Sequence, residues 1–231
     1  MFIPVEFKSN SEMLPKFQLP MVVSDIKIEL VKEIENIVDV EERNILDMYP
    51  PFLHKETNIN PEAETGLEDW VTNRAFEYNF LKMVDKYPIL NDLKTSIREA
   101  YDEYSHNMNL SPVAPYIQMW FNVLRKDGRF FTKHHHAHPA RIGDPLNAYI
   151  SGHVCIRAEN TSTYYYNPFI QDDGIGMKNK PGNITLFPSW VLHSTDQNKS
   201  EQTRITLAFD ILPEQVVLEG KMDNPSNYIR L

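Results

Sequence analysis

The chain has 231 residues and a formal net charge of −9, and its lysines and arginines form no basic cluster. We therefore expect neither nucleic acid nor an anionic membrane surface as a partner. Its single cysteine, Cys155, excludes an intramolecular disulfide and a cysteine-based metal cluster. Glu6 and Lys8 interrupt what would have to be the apolar core of a signal peptide, and no later run is long and apolar enough to span a membrane, so we expect a cytoplasmic protein.

Helical periodicity dominates the first 111 residues. The apolar positions of a first predicted helix, which follows Ser24 as a candidate N-cap, are Ile26, Leu30, Ile34, Ile37 and Val38. Those of a second predicted helix are Leu93, Ile97, Ala100, Tyr101 and Tyr104. Between the two, residues 54–66 are polar and rich in turn formers, which predicts a loop. We therefore expect residues 1–111 to form a helical and loop support region, with the chain before residue 90 contributing mainly helices outside the sheets.

The hydrophobic period falls to two after residue 112, which predicts strands. The predicted strands cover residues 116–124, 129–138, 148–158, 163–166, 183–187, 190–193 and 203–212. Turn formers separate them, for example Lys126-Asp127-Gly128 and Pro181-Gly182. Many short strands without intervening helices are typical of a sandwich or jelly roll. We predict a mainly β protein with N-terminal helices, in which residues 112–231 form the core of one integrated domain.

Four of the eight histidines lie between Phe131 and Asp144, in the sequence FTKHHHAHPARIGD. In an extended segment His134, His136 and His138 share one face while His135 faces the other way. Two neighbouring imidazoles on one face can bind a metal ion, although a solvated loop tip or a pH-sensitive patch would have the same composition. A metal site needs a third ligand, and His193, at the end of a short apolar run, is the candidate. Residues 139–147 are long enough to form a lid over such a site.

Beyond the histidines, Arg204 opens the next predicted strand and Thr206 lies on the same face of it. The order of His-x-His, a late His and then Arg-x-Thr resembles that of Fe(II)/2-oxoglutarate-dependent dioxygenases, with closest likeness to those of tailed phages and marine bacteria. The resemblance covers about residues 112–212. Its matching pieces are WFNV (120–123), the His-x-His-x-His-Pro segment (134–139), SGHVCI (151–156), STYYYNP (162–168), LFPSWVLH (186–193) and RITLAFDI (204–211).

The resemblance implies a double-stranded β-helix, a cupin-like jelly roll, and an enzyme that uses Fe(II), 2-oxoglutarate and O₂. Such an enzyme hydroxylates a protein side chain or a small metabolite and releases succinate and CO₂; ascorbate is an accessory reductant that the resemblance also allows. Arg204 would bind the distal carboxylate of 2-oxoglutarate in a bidentate pair, with Thr206 donating to the same group. Asn122 and Tyr116 would reach the carboxylate nearer the metal, or else satisfy neighbouring backbone groups.

The ligand set departs from the two-histidine, one-carboxylate site that most of this superfamily uses. We predict His134, His136 and His193 as the ligands and hold His138 in reserve, because the His-x-His-Pro wording favours the pair His136 and His138. Asp144 would add a carboxylate if its loop folds back.

Two further functions remain open. Three histidines also suit zinc, so one alternative is a tris-histidine cupin-like metalloenzyme that does not use 2-oxoglutarate. The other is a non-catalytic binding or structural protein of a phage, in which case the host cytoplasm is the expected location. The Arg-x-Thr pair argues against the first alternative, because such an enzyme needs no anchor for a dicarboxylate. The substrate, the native metal and the oligomeric state are left undetermined by the sequence.

Overall fold

The computed structural model describes residues 1–7, 17–48, 78–110, 112–127, 131–136, 150–170, 174–220 and 225–231. The strands are β1 (Phe2–Phe7), β2 (Phe17–Asp25), β3 (Pro115–Leu124), β4 (Ile150–Arg157), β5 (Ser162–Tyr166), β6 (Gly174–Lys178), β7 (Asn183–Pro188), β8 (His193–Thr195), β9 (Arg204–Pro213) and β10 (Ile229–Arg230). The helices are α1 (Ile28–Met48), α2 (Leu90–Asn107) and α3 (Glu214–Leu218), with 3₁₀ turns at Phe80–Asp85 and Pro225–Asn227.

The strands form two antiparallel sheets that face each other. The large sheet has seven strands in the order β1-β2-β7-β4-β9-β3-β10, and the small sheet has three in the order β6-β5-β8. Tyr165 of the small sheet packs edge-on against Phe187 of the large sheet, with ring centroids 5.0 Å apart. This agrees with the predicted mainly β architecture of two facing sheets.

The large sheet has one apolar face, against which both long helices pack. Its central strands β3 and β9 contribute alternate apolar residues to this core: Ile117, Met119, Phe121, Val123, Ile205, Leu207, Phe209 and Ile211. All the residues expected on the apolar faces of the two predicted helices are buried in the same core, which confirms both faces. Among the described residues, none of the helices combines the length and apolar composition needed to cross a bilayer.

The other face of the large sheet points towards the small sheet and carries polar side chains on its central strands. The register places Asn122 of β3 opposite Thr206 of β9, and Ser151 of β4 opposite Asp210 of β9. Because side chains alternate along a strand, Arg204, Thr206, Ala208 and Asp210 share this face. Polar side chains of these strands, together with apolar ones such as Trp120 and Ala208, therefore line the space between the sheets.

The N-terminal region differs from the prediction, because β1 and β2 extend the large sheet rather than lying outside it. Strand β2 pairs with β7 from Val22↔Leu186 to Asp25↔Asn183. Ser24, the predicted N-cap, belongs to this strand and pairs with Ile184. Strand β2 was not predicted, because the residues that follow it have a helical period and its hydrogen-bond partners lie far away in the sequence. The division into a support region (1–111) and a core (112–231) stays a prediction.

Three details of the strand predictions also differ. Residues 131–136 form no regular strand and instead make an isolated bridge at His134. The strand expected at 190–193 begins only at His193. Strand β6 was not predicted, because glycines occupy two of its five positions; the Tyr166 ring fills the space where a Cβ on Gly174 would lie, 2.6 Å away. The predicted loop at 54–66 lies outside the described residues.

Candidate metal centre

Backbone hydrogen bonds bring three of the predicted ligands together. The His134 amide donates to the His193 carbonyl at 3.0 Å, and the His193 amide donates back at 2.9 Å. The His136 amide donates to the Ser189 carbonyl at 2.9 Å. The segment 131–136 is thereby held along the chain that leads into β8. The three imidazoles offer ligand atoms that all lie within 4.8 Å of one another, so they could bind one metal ion.

Each imidazole has an oxygen acceptor next to its Nδ1 atom. His134 Nδ1 lies 2.7 Å from the Thr132 carbonyl, and His193 Nδ1 lies 3.0 Å from the Val191 carbonyl. His136 Nδ1 lies 2.8 Å from Oδ1 of Asp210. A carbonyl or carboxylate oxygen only accepts, so in the neutral form of each ring Nδ1 carries the proton and the lone pair resides on Nε2. This tautomer is the one that a metal ligand needs, with its second nitrogen fixed by an outer partner.

The environment keeps two of the three histidines neutral. Burial and, to a smaller extent, the neighbouring His136 lower the pKa of His134 to about 4. Burial also holds the pKa of His193 well below its ordinary value. In His136 burial again acts to lower the pKa, but the Asp210 carboxylate outweighs it and the pKa is raised. At neutral pH His134 and His193 therefore present free lone pairs to a metal.

Arg204 is buried in the cavity that the three histidines line, and some of its donor atoms have no hydrogen-bond partner among the described residues. Its side chain lies on the inner face of β9, and the residue is only 2% exposed. Nη2 donates to Thr163 Oγ1 of the small sheet at 3.3 Å, while Nε and Nη1 have no hydrogen-bond partner among the described residues. Burial lowers its pKa to about 10, so the guanidinium stays charged at neutral pH. Arg204 is thus shielded from solvent, because the small sheet covers it.

Asn122 and Thr206 lie in the same cavity as Arg204 and the histidines. They are cross-strand neighbours on β3 and β9, and both are buried. Asn122 Oδ1 has no hydrogen-bond partner among the described residues. The structure thus brings together three of the four residues predicted to contact 2-oxoglutarate, whose roles stay predictions.

Tyr116, the fourth of these residues, is not brought to the cavity. It lies at the other end of β3, opposite Leu212, and its hydroxyl donates to Glu214 at 3.3 Å. Its ring packs on the small cluster around α3. Six residues of strand, about 20 Å, separate it from Asn122, so its position gives no support to the predicted role. The reserve ligand His138, Asp144 and the expected lid at 139–147 lie outside the described residues.

Three residues of the site were missed in the sequence. Asp210 and Ser151 lie behind His136, and Ser151 Oγ donates to Asp210 Oδ1 at 2.6 Å. His153 lines the cavity, and burial, assisted by Arg204, lowers its pKa to about 3. All three occupy the face of their strands that carries the other polar residues. Period-two alternation of polar residues in β4 and β9 was the signal that could have identified them.

The side chains fit a divalent metal and a small anion. Three imidazoles with fixed tautomers form a nitrogen donor set that suits iron or zinc. Two unpaired guanidinium donors in a buried site are costly unless an acceptor meets them, and a carboxylate is an acceptor that matches the fork geometry of a guanidinium. The residues present therefore fit Fe(II) and 2-oxoglutarate.

The chain is similar to known proteins in sequence over part of its length and in fold. Residues 118–210 match the model of a family described as "Putative 2OG-Fe(II) oxygenase". The crystal structure of a Pseudomonas putida prolyl-4-hydroxylase superposes with a TM-score of 0.52 at 9% identity, over 84% of this chain and 92% of that chain. A non-haem monooxygenase, ThoJ, in its nickel complex has a TM-score of 0.48 at 11% identity, over 84% of this chain and 73% of that chain. No curated protein sequence matches the chain.

The similarity to the prolyl-4-hydroxylase, at such low identity, shows the fold alone, and that fold is the predicted double-stranded β-helix. The family match covers the segment that holds the three histidines and Arg204. The predicted likeness to phage and marine bacterial members stays a prediction. Residues 118–210 of this chain thus match a 2OG-Fe(II) oxygenase family, on a double-stranded β-helix.

Proposed function

We propose that the protein is an Fe(II)- and 2-oxoglutarate-dependent dioxygenase that hydroxylates a protein side chain or a small metabolite. The observation that carries this proposal is Arg204, a buried guanidinium with two unpaired donor atoms in the cavity that the three histidines line. A tris-histidine enzyme without a dicarboxylate cosubstrate would have no use for this costly charge.

The three histidines would bind the metal. His134, His136 and His193 would bind Fe(II) through Nε2, because their Nδ1 atoms are engaged by Thr132, Asp210 and Val191. Bound iron would supply the activation of O₂ that couples decarboxylation of 2-oxoglutarate, to succinate and CO₂, with hydroxylation of the substrate. Three ligands leave the remaining coordination positions for the cosubstrate and O₂.

Arg204 would bind the end of 2-oxoglutarate that lies away from the metal. The guanidinium would donate a fork of two N–H groups to the distal carboxylate of 2-oxoglutarate, one from an unpaired nitrogen and one from Nη2, whose other N–H keeps the hydrogen bond to Thr163. Thr206, on the same strand face, would donate its hydroxyl to the same carboxylate. Asn122, across from Thr206, would contribute its side-chain amide beside the ligand. The buried cavity wall, which includes Trp120, Phe131 and Phe187, would exclude water and so strengthen these electrostatic contacts.

The test is to measure 2-oxoglutarate binding to the Fe(II)-loaded wild type and its Arg204→Ala variant by calorimetry without oxygen, and succinate formation with oxygen. We expect Arg204→Ala to retain iron, because it removes no ligand, and to weaken 2-oxoglutarate binding by about 2–5 kcal/mol, the scale for truncating a buried charged pair. Arg98→Ala is the control, because Arg98 pairs with Asp102 on α2, outside the cavity.

Equal 2-oxoglutarate affinity in wild type and Arg204→Ala, or no affinity in either, contradicts the proposal. Metal binding without 2-oxoglutarate binding would then favour the tris-histidine enzyme, and absence of both would favour the binding protein. Arg204→Lys keeps the charge without the fork, and an affinity between those of wild type and Arg204→Ala would show that the bidentate geometry matters.

A further inference from the structure

Asp210 distinguishes His136 from the other two candidate ligands. Its Oδ1 atom lies 2.8 Å from His136 Nδ1, whereas the Nδ1 atoms of His134 and His193 each lie next to a backbone carbonyl. Asp210 is buried, with 7% exposure. Within the part of the chain that the structure describes, His136 is thus the one imidazole of the three in hydrogen-bond contact with a carboxylate.

The position of Asp210 is fixed by the sheet. It lies in β9, between β3 and β4, where its cross-strand neighbours are Gln118 and Ser151. The fully buried Ser151 donates its hydroxyl to the same Oδ1 atom at 2.6 Å. A carboxylate held from two directions in a central strand keeps the His136 ring in one orientation, with Nε2 towards the common centre of the three histidines.

The charge of the site gives Asp210 a second effect. The usual iron site of this kind has two histidines and a carboxylate, so its ligands bring one negative charge. Three neutral imidazoles bring none. A carboxylate that accepts the Nδ1 proton transfers part of its charge to the imidazole and raises its basicity towards a metal. An Asp–His pair is therefore closer to an anionic ligand than a histidine held by a carbonyl.

We infer, on the basis of the proposed metal site, that Asp210 is a positioning residue that acts through His136. It replaces the missing carboxylate ligand from a position one hydrogen bond further from the metal. His136 and Asp210 form the anionic member of the ligand set, and His134 and His193 form the neutral members. The inference predicts that Asp210 governs both metal affinity and the balance between Fe(II) and Fe(III), although it does not touch the metal.

The test compares wild type, Asp210→Asn and Asp102→Asn. The asparagine at position 210 keeps an acceptor of the same size but removes the charge. Asp102→Asn makes the same charge change on α2, where Asp102 pairs with Arg98. Affinities for Fe(II) and Zn(II) are measured by competition with a chelating dye without 2-oxoglutarate. Thermal unfolding of the metal-free proteins shows whether each variant is folded.

We expect Asp210→Asn to weaken binding of both metals about 10- to 100-fold, the usual effect of removing an outer partner of a metal-bound histidine. Asp102→Asn should bind as wild type does. A redox titration should show a more positive Fe(III)/Fe(II) potential in Asp210→Asn, because loss of a nearby negative charge favours the lower oxidation state. A change in folding alone would not shift this potential in a defined direction.

A measurement on the wild type covers the case in which Asp210→Asn does not fold. Nitrogen-15 NMR of the Zn(II)-loaded protein should show His136 protonated at Nδ1 and unprotonated at Nε2. Protonation at Nε2, or metal affinity in a folded Asp210→Asn within twofold of wild type, overturns the inference while the proposed function stands. Failure of the wild type to bind either metal overturns the proposed function and, with it, the inference.

Discussion

His134 and His193 exchange two backbone hydrogen bonds, of 3.0 and 2.9 Å, and their imidazole rings lie 4.3 Å apart between centroids. The pairing is an antiparallel bridge between the segment 131–136 and the start of β8. Two candidate ligands from distant parts of the sequence are thus placed by the backbone rather than by a metal. The site is preorganised, which reduces the ordering cost of binding.

Metal should stabilise the wild type and fail to stabilise a ligand variant. At a free concentration 100 times the dissociation constant, metal that binds only the folded state raises the free energy of unfolding by about 2.7 kcal/mol. His193→Ala removes a ligand and should abolish this increment, measured by urea unfolding with and without Zn(II). His106→Ala, at an exposed position of α2, is the control. An equal increment in His193→Ala would place the metal elsewhere.

Thr163→Val should destabilise the protein, because it removes a buried hydroxyl that hydrogen-bonds with both Arg204 and the Asn179 side chain. Thr163 Oγ1 accepts from Arg204 Nη2 at 3.3 Å, and valine has nearly the same shape without the oxygen. The expected loss is about 1–3 kcal/mol of unfolding free energy, the cost of a buried unsatisfied donor. Saturating 2-oxoglutarate and Fe(II) should recover part of it. Thr95→Val, at an exposed position of α2, controls for the substitution, and equal effects at both positions would contradict the prediction.

Acid should destabilise the wild type more than His153→Gln. The pKa of His153 is about 3 in the folded protein against an ordinary value of 6.5, because burial and Arg204 disfavour its charged form. Above pH 6.5 both states are neutral. Below it the unfolded chain binds a proton that the folded protein does not, so the unfolding free energy falls as pH decreases towards 3.

Between pH 7 and pH 5 the contribution of His153 to this loss is roughly 2 kcal/mol. Urea unfolding of metal-free wild type and His153→Gln at both pH values measures the difference, in which the other histidines cancel. His106→Gln is the control. Identical pH dependence in wild type and His153→Gln would show that His153 is not held neutral.

Gly152→Ala should cost more than Gly176→Ala. A Cβ at position 152 would lie 2.5 Å from Cζ of Phe209 and 2.7 Å from the Thr185 carbonyl oxygen, in the centre of the large sheet. Overpacking of this kind costs about 1–3 kcal/mol. At position 176 the added Cβ meets only the Tyr164 ring, 2.8 Å away, and that side chain can move. Thermal unfolding of both variants measures the order, and an equal or reversed order would contradict it.

The sequence determined the parts of this protein that depend on local pattern. Helical spacing identified the buried faces of α1 and α2, and period-two alternation identified β3, β4 and β9. The spacing of His134 and His136, with the later His193, was enough to propose a metal site, because same-face residues of an extended segment converge on one ligand. The Arg-x-Thr spacing in β9 likewise placed Arg204 and Thr206 on one face.

The tertiary structure decided everything that depends on which strands are neighbours. Periodicity assigns Asp210 to a face of β9, but only the pairing of β9 with β4 and the approach of segment 131–136 bring it to Ser151 and His136. Tyr116 has the same parity as Asn122 and yet lies at the opposite end of the strand. Strand β2 forms because it pairs with β7. Arg204 is buried because the small sheet covers it. A sequence period specifies the direction of a side chain and not its distance from a site, because that distance is set by hydrogen bonds between strands far apart in the chain.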